Sequence, residues 1–512
     1  MIEIELKFQI PAAKRKALAR AVLQQKPEHV ELHAKYFDTA DHFLQRHHIS
    51  LRQRQENGQW RQTLKAPKNH LERIEIETEL DSEDPSHAAA LNDADSRIDV
   101  LPYLQQKNLR KLLKPLVKTA CSLQFETQIR RQRFIQFIHS PQTHSPPEDN
   151  GAINAETINA SQIEVSLDQG LILANGNSHE VYEIEFELKQ GSIQDLIDTI
   201  KPWIKKYGIW LDSSSKALCG QRLQQGLNTA PVQYQTALLL NQQDNSRSAL
   251  QKMTANCLEH LLPNSSAIAL NQYQPEHVHQ ARVAIRRLRS ALKTFAFEAP
   301  IISRAAIWQQ QLADLFRQLG STRNYDALTE SLMPQLAAAG SPILQLPPAL
   351  NETEQNISLI FQKQETAFLL LELIAFAHAV PQKSIELDKA LKKRLHSMHS
   401  RICQAALQFE HLPDEDKHRL RKRVKTLRYS IEFAASHYEK KAVKAYLKAL
   451  KPLQEDLGRL NDLAVAHAIF EAAAAEQPKH WFVLGWIAAE KQQITKHIMQ
   501  SLKAFRQAKP FW

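Results

Sequence analysis

The chain opens on a segment whose two faces have nothing in common. Ile2, Ile4 and Leu6 alternate with Glu3, Glu5 and Lys7. In a strand this period of two puts the apolar set on one side and the ionic set on the other. The pattern then returns. Ser50 to Arg54 places Arg52 and Arg54 on one face. Beyond Asn57-Gly58, a hairpin signal, Trp60 to Lys65 aligns Arg61, Thr63 and Lys65. Arg73, Glu75 and Glu77 share a face around Ile74 and Ile76. Phe125 to Phe134 groups Thr127, Ile129, Arg131 and Arg133, and Gln162 to Asp168 offers Glu164, with Asp168-Gln169-Gly170 reading as the turn that follows. Glu183 to Lys189 repeats the opening motif, with Glu185 and Glu187 beside Glu183.

An antiparallel sheet ordinarily buries one apolar face and wets the other. Here the polar face is almost wholly ionic, and the signs are sorted by strand. Acids come from the strands of Glu3, Glu75 and Glu183, and bases from those of Arg52, Arg61 and Arg131. A closed barrel would hide the edges and turn that face inward. Opposed charged walls inside a barrel are costly unless they are paired or hold ions. A polyphosphate anion with divalent cations would satisfy both walls. The apolar faces must then point outward, under helices for which Ala12–Gln25, Ile98–Leu116 and Ile193–Tyr207 are candidates.

Glu3-x-Glu5-x-Lys7, Leu51-Arg52-x-Arg54, Thr63-x-Lys65, Arg73-x-Glu75-x-Glu77 and Glu183-x-Glu185-x-Glu187 together resemble the CYTH family of triphosphate tunnel metalloenzymes, over about Met1 to Gly220. The resemblance implies an eight-stranded antiparallel β tunnel with outer helices, hydrolysis of triphosphates, and dependence on Mg²⁺ or Mn²⁺. Ser215-Lys216 matches a late motif of that family, in which the lysine reaches the phosphate. One departure is His139 to Gln162, rich in Ser, Pro, Asn and Ala, which reads as a disordered insertion between two strands.

At 512 residues the chain has room for two or more domains, and a hydrophobic fraction of 43% is ample for real cores. A net charge of +10 favours anionic partners. Cys121, Cys219, Cys257 and Cys403 are far apart and form no Cys-x-x-Cys, which speaks for a reducing compartment and against structural zinc. No signal peptide precedes the first strand. The most apolar run, Phe368 to Val380, contains Glu372 and His378 and is too short to span a bilayer, so it reads as a core helix. The expectation is a cytoplasmic protein, free or associated with polyphosphate granules, with no membrane partner.

Near Gln224 to Gln235 the texture changes from alternation to long helical periods. Inside the second part lies a repeat. His279-x-x-Arg282-x-x-x-Arg286-x-x-Arg289 recurs as His418-x-x-Arg421-x-x-x-Lys425-x-x-Arg428. On a helix these four positions fall within an arc of roughly 80°. Ile285, Leu288 and Leu292 lie opposite in the first copy, and Leu420, Val424, Leu427 and Ile431 in the second. From His277 to Lys293 there are five Lys/Arg and no acid, and from Lys417 to Ile431 seven and no acid. Like charges crowded on a helix destabilise it, so two such helices suggest a bound polyanion. The histidines then act as donors to phosphate oxygen. Downstream, Leu319-Gly320-x-x-Arg323-Asn324-x-Asp326 and Leu457-Gly458-x-x-Asn461-Asp462 read as helix ends with turns. Together these features resemble the CHAD family over about Tyr234 to Trp512, with Asn324 standing where that family usually has Asp. The resemblance implies an all-helical, pseudo-symmetric bundle that binds inorganic polyphosphate.

The sequence therefore reads as an α+β chain: a tunnel domain at 1–220, a linker at 221–235 and an all-α bundle with an internal pseudo-two-fold repeat at 236–512. The expected activity is a metal-dependent inorganic triphosphatase with a polyphosphate-binding module. Glu3, Glu5, Lys7, Arg52, Arg54, Lys65, Arg73, Arg131 and Lys216 are the candidate catalytic set, and Glu3, Glu5, Glu75, Glu77, Glu164, Glu185 and Glu187 the candidate metal ligands. Polyphosphate falls to His279, Arg282, Arg286, Arg289, His418, Arg421, Lys425 and Arg428. The other readings are a thiamine-triphosphate hydrolase or adenylate-cyclase-like enzyme, and a non-catalytic adaptor of polyphosphate granules. Nucleic acid is disfavoured because the basic helices lack interleaved aromatics for stacking.

Overall fold

The computed structural model describes residues 2–67, 72–80, 98, 100–139, 160–347, 356–380, 382–475 and 477–512. The insertion expected at His139 to Gln162 lies mostly outside them, at 140–159. The chain forms two compact units. The first is Met1–Gln233 with Leu262–His277 and Phe361–Ala379; the second is Tyr234–Leu261, Val278–Ile360 and Val380–Trp512.

The first unit is built on strands β1 (Ile2–Gln9), β2 (Glu28–Thr39), β3 (Ser50–Glu56), β4 (Gln59–Pro67), β5 (Glu72–Leu80), β6 (Cys121–His139), β7 (Ala160–Ala174), β8 (Asn177–Gln190) and β9 (Trp210–Leu211). Their order is β5-β4-β3-β2-β6-β7-β8-β1-β9, and β5 also pairs with β1. The register Ile2↔Ile74, Glu3↔Arg73 closes eight antiparallel strands on themselves. The two-residue β9 continues along β1 at Phe8 and Gln9, beyond the reach of β5.

The turns follow from residue chemistry. Asn57-Gly58 and Asn175-Gly176 both hold positive φ at two successive residues, which is the two-residue hairpin geometry that matches strand twist. The second of these is the true end of β7. The turn expected at Asp168-Gln169-Gly170 is instead regular strand, because β7 continues in register with β8 to Ala174↔Asn177.

Helices cover the outward apolar faces. Helix α1 (Arg15–Gln24) buries Leu18 and Val22. Helix α2 (Phe43–Arg46) and helix α3 (Lys107–Leu113) close over β3 and β4, where Leu44, Leu51, Leu64, Tyr103 and Leu113 form one core. Helix α4 (Ile193–Tyr207) starts on a capping box between Ser192 and Asp195 and buries Leu196, Ile197, Ile200 and Ile204. Trp203 of α4 packs at 6.0 Å on Phe186 of β8, which meets Phe8 of β1 at 5.8 Å.

On β6 the residues grouped by alternation, Thr127, Ile129, Arg131 and Arg133, do share the inward face. On β2 and β6 that face is also partly apolar: Val30, Leu32, Ala34, Tyr36, Phe125 and Ile129 are buried with Ile172, Ala174 and Val181. Helix α5 (Lys216–Gln224) supplies the reason, because its Ala217, Cys219 and Leu223 pack into that cluster. On the outer faces Arg130 of β6 donates to Glu31 of β2 at 3.3 Å.

Helix α6 (Ser246–Ala269) crosses the division between the units. The second unit holds helices α7 (Pro275–Phe295), α8 (Ala299–Gln318), α9 (Ser321–Ala338) and α10 (Ser358–Gln362). Helix α11 (Gln364–His378) belongs to the first unit, where it packs on α4 as a core helix. The second unit then continues with α12 (Leu387–Ala405), α13 (Asp414–Ala434), α14 (Lys440–Ala474) and α15 (His480–Arg506). Ile285, Leu288 and Leu292 of α7 and Leu420, Val424, Leu427 and Ile431 of α13 are all buried, as the repeat requires. Leu319-Gly320 does separate α8 from α9. Leu457-Gly458 ends nothing: it lies inside α14, where nothing stands within 4 Å of the missing Cβ. Among the described residues no helix is long and apolar enough to cross a membrane.

One close approach is specific enough to test. A Cβ on Gly170 of β7 would sit 1.9 Å from the Gln128 carbonyl oxygen of β6. Gly170→Ala is expected to cost about 1–3 kcal/mol of stability by overpacking, read as a lowered denaturant midpoint. An unchanged midpoint would refute the contact.

Candidate functional site

Backbone register stacks the inward side chains of the tunnel in rows. Glu5, Glu187 and Glu164 are cross-strand neighbours on β1, β8 and β7. The next row holds Lys7, Glu185 and Ser166, and the row beyond it Gln9, Glu183, Asp168 and Arg131. Across the lumen, Arg52–Thr63–Glu77 and Arg54–Arg61–Glu79 form rows on β3, β4 and β5. The walls enclose a cavity of about 650 Å³ lined by Glu5, Arg52, Arg54, Lys65, Glu164 and Glu187 among others.

The deep rows form a continuous ionic network. Arg131 donates to both carboxylate oxygens of Asp168 at 2.7 Å, and to Glu185 at 2.5 Å. The Nζ of Lys216, at the head of α5, lies 2.7 Å from Asp168 and 2.6 Å from both Glu183 and Glu185. Lys7 lies 2.8 Å from Glu183 and 3.3 Å from Asp212. Asp212 accepts in addition from Gln9 and from the Ser214 amide. Asp168 has 0% of its surface exposed. Burial by itself would neutralise such groups. It would raise the Glu185 carboxyl, but Lys216 and Arg131 hold it well below its ordinary range. It would lower the Lys216 ammonium, but Asp168, Glu183 and Glu185 keep it well above.

The basic wall is less fully matched. Arg54 is pushed down to about 10, first by Arg52 beside it and then by burial. Its contacts to Glu56 and Glu77 are 3.2 and 3.7 Å, and its buried Nε has no partner among the described residues. Lys65 stands 3.4 Å and Arg52 3.8 Å from Glu75. Burial would raise the Tyr36 phenol, yet Arg52, which donates to its oxygen at 3.3 Å, brings it below its ordinary value. Arg52, Arg54 and Lys65, cations gathered on one wall of the cavity, describe a place prepared for an anion.

Oxygen-only donors suit a hard divalent cation. Two groups of carboxylates offer them. Asp168, Glu183 and Glu185 present oxygens within 4.8 Å of one another, but the Lys216 ammonium already serves as their counter-ion. Glu5, Glu164 and Glu187 lie toward the lumen, where Lys189 pairs with Glu187 at 2.7 Å and Glu164 at 3.5 Å. The second group fits Mg²⁺ or Mn²⁺ better, since its counter-ion is a half-exposed lysine.

The structure thus brings together Glu5, Lys7, Arg52, Arg54, Lys65, Arg131, Glu164, Glu185, Glu187 and Lys216, with Glu75 and Glu77 at the basic wall. The side chains of Glu3 and Arg73 lie outside the described residues, although their backbones are register partners. Asp168, Glu183 and Asp212 belong to the network and were missed as site residues. Asp168 was read as a turn, and Asn175-Gly176 was the signal that would have corrected it. Asp212 lies in a stretch with no alternation to mark it.

In the second unit Arg286 of α7 lies near Arg421 and Lys425 of α13, all half-buried. None of the three forms an ion pair among the described residues. Lys425 is pushed down to about 7 by burial and then by Arg421 and Arg286, with Asp462 opposing. The other predicted contacts diverge. Arg282 is buried, donates to the Leu319 carbonyl at 2.9 Å and stacks on Phe316. Arg428 pairs with Glu432 at 2.7 Å. His418 is exposed and hydrogen-bonds Asn461 at 2.9 Å. His279 and Arg289 are half-buried on the α7 face. The side chains of Arg323, Asn324 and Asp326 lie outside the described residues.

Comparison with known proteins places these two sites in context. Residues 1–217 match the model of the CYTH domain and residues 252–471 that of the CHAD domain. An inorganic triphosphatase of Haemophilus influenzae is 29% identical over 199 residues, which cover 37% of this chain and 44% of that protein. The match thus spans less than half the length of that relative. Among solved structures, the CHAD domain from the plant Ricinus communis is 27% identical with a TM-score of 0.44, covering 54% of this chain and 97% of that one. A putative adenylyl cyclase from Hippeastrum, with a dominant triphosphatase activity, is 18% identical with a TM-score of 0.29, covering 43% of this chain and 95% of that one.

The deep network carries its own prediction. Asp168→Asn keeps the shape but removes the charge that Arg131 and Lys216 share. Breaking a buried pair in this way costs about 3–5 kcal/mol. Chemical denaturation should register that loss, while a surface control, Glu79→Gln, stays near wild type. Equal stability of the two variants would show that the network is not held by Asp168.

Proposed function

We propose that this chain, a CYTH domain followed by a CHAD domain, is a metal-dependent inorganic triphosphatase that cleaves tripolyphosphate to pyrophosphate and phosphate. Its helical unit binds inorganic polyphosphate. One observation carries the enzymatic reading: a single cavity sets crowded cations, Arg52, Arg54 and Lys65, opposite the carboxylate row Glu5, Glu187 and Glu164. A binding site for an anion alone needs only the cations.

The basic wall grips the non-bridging oxygens of the substrate and stabilises the charge that spreads over them in the transition state. Glu5, Glu164 and Glu187 would hold the divalent cation, which supplies Lewis-acid polarisation and a more acidic bound water. Lys216 and Arg131 keep the deep carboxylates ionised and fixed, so that the acidic wall presents oxygens at set positions. Attack falls on the terminal phosphorus. Among the described residues lining the cavity the one aromatic side chain is Tyr36, which is occupied by stacking on Phe125 at 4.5 Å.

Glu5→Gln is expected to lower divalent-dependent phosphate release from tripolyphosphate by ~10²-fold or more at saturating metal, with the circular dichroism unchanged. Tripolyphosphate should outrank both ATP and pyrophosphate in kcat/KM. Wild-type turnover by the variant, or better efficiency on ATP, overturns the reading.

The helical unit makes a separate, pH-dependent prediction. With its pKa near 7, Lys425 is charged below neutrality and loses its proton above it. A bound polyanion favours the charged form and raises that pKa, so binding takes up a proton above pH 7. Polyphosphate affinity should therefore fall as pH rises from about 7 toward the ordinary lysine range. Lys425→Arg should hold its affinity across that window. A wild-type affinity flat with pH contradicts the assignment.

A further inference from the structure

The cations of the helical unit do not end at Arg286, Arg421 and Lys425. On α7 the row Arg282, Arg286, Arg289, Lys293 continues along one face. From Arg286 to Lys293 that row runs about 10 Å, at roughly 1.5 Å per residue. The end of α7 is fixed to α13 by a buried hydrogen bond between Thr294 and Ser430 at 2.9 Å and by Phe295 packed at 6.3 Å on Phe433. Helix α12 also packs on α13. At this meeting point Lys293, Arg401 of α12, and Lys422 and Arg423 of α13 are all exposed.

The side chains of these four form no ion pair or hydrogen bond among the described residues, and Arg289 has a buried Nε with no partner there. This sets them apart from other basic residues of α13. Arg419 pairs with Asp416 and Lys417 approaches Asp414 at 3.9 Å. Lys293 feels partial burial first and then Arg423, Arg289, Arg401 and Lys422, all of which push its ammonium down; no acid opposes them. A solvated helix face normally mixes signs, because like charges at helical spacing cost stability. Three separate helices contributing only cations to one place is a standing repulsion that a polyanion would relieve.

We propose that Lys293, Arg401, Lys422 and Arg423 form a second phosphate-binding patch, continuous with the Arg286–Arg421–Lys425 site, so that the helical unit selects linear inorganic phosphate chains long enough to cover both. This rests on the reading of the helical unit as a polyphosphate binder. Tripolyphosphate can occupy one cluster but not the two together, which separates the ligand of the helical unit from the substrate of the tunnel. A single-stranded nucleic acid is the weaker candidate, because among the described residues α7 and α13 expose no aromatic side chain beside these cations on which bases could stack, Tyr429 being buried; duplex DNA is decided by the test below.

The test is titration of the full chain in EDTA with a length series of linear inorganic phosphates, from tripolyphosphate to long-chain polyphosphate, with duplex DNA as a parallel arm. The variant replaces Lys293, Arg401, Lys422 and Arg423 by Gln. Wild-type affinity should climb with chain length and then level off. The variant should level off at shorter chains, bind long chains ~10-fold or more weakly and show a shallower salt dependence, since fewer counterions are released. Its metal-dependent hydrolysis of tripolyphosphate should be unchanged, and Arg401→Lys with Arg423→Lys should retain long-chain binding. Long-chain affinity equal to wild type in the Gln variant, at every salt concentration, overturns the patch. Absence of polyphosphate binding by the wild type overturns the parent reading instead. Duplex DNA bound more tightly than polyphosphate, and lost in the variant, would make the patch a nucleic-acid surface.

Discussion

The interaction on which the tunnel depends is the sharing of three cations, one buried and two half-buried, among four buried carboxylates. Lys7, Arg131 and Lys216 sit among Asp168, Glu183, Glu185 and Asp212, on elements distant in sequence: β1, β6, β7, β8, the stretch after β9, and the head of α5. Isolated, any one of these charges would be intolerable at such burial. Together they remain ionised, and the network lets a barrel keep a charged interior. It also has a geometric effect. By drawing Lys216 inward it seats α5 in one end of the barrel, where Ala217, Cys219 and Leu223 find an apolar lining on β2, β6 and β7.

The same physics distinguishes the deep rows from the lumen. In the deep rows each acid has a cation within hydrogen-bonding distance, so little charge is left for a ligand. On the basic wall like charges crowd instead, and Arg54 has its pKa lowered first by Arg52 beside it. The helical unit makes the comparison from the other side. Arg282 and Arg428 are tied to Leu319 and Glu432, whereas Arg286, Arg421 and Lys425 form no ion pair among the described residues.

Much of this was legible in the sequence because a strand's period of two and a helix's of 3.6 are local signals. Glu5, Arg52, Lys65 and Glu187 could be assigned to one inward face, and the apolar backs of α7 and α13 to a core, from alternation alone. What was not legible depended on partners distant in the chain. Arg282 looks like its neighbours Arg286 and Arg289, and only the placement of Leu319 and Phe316 turns it inward. The apolar part of the inward faces of β2 and β6 could not be foreseen without knowing that α5 packs against it. Asp168 was lost to a turn reading because an aspartate before a glycine is an ordinary turn signal. Here that glycine serves a close approach of strands within β7. Leu457-Gly458 failed for the same reason, since a glycine with open space around it need not end a helix.

The central claim is that the tunnel directs water to the end of a linear triphosphate, gripped by one wall and activated at the other. Hydrolysis of tripolyphosphate in ¹⁸O-water, with Mg²⁺ or Mn²⁺ present and the products read by ³¹P NMR, tests it most directly. The account predicts one ¹⁸O atom in orthophosphate and none in pyrophosphate, with no turnover in EDTA. Label in pyrophosphate, or turnover that persists without a divalent cation, would contradict it.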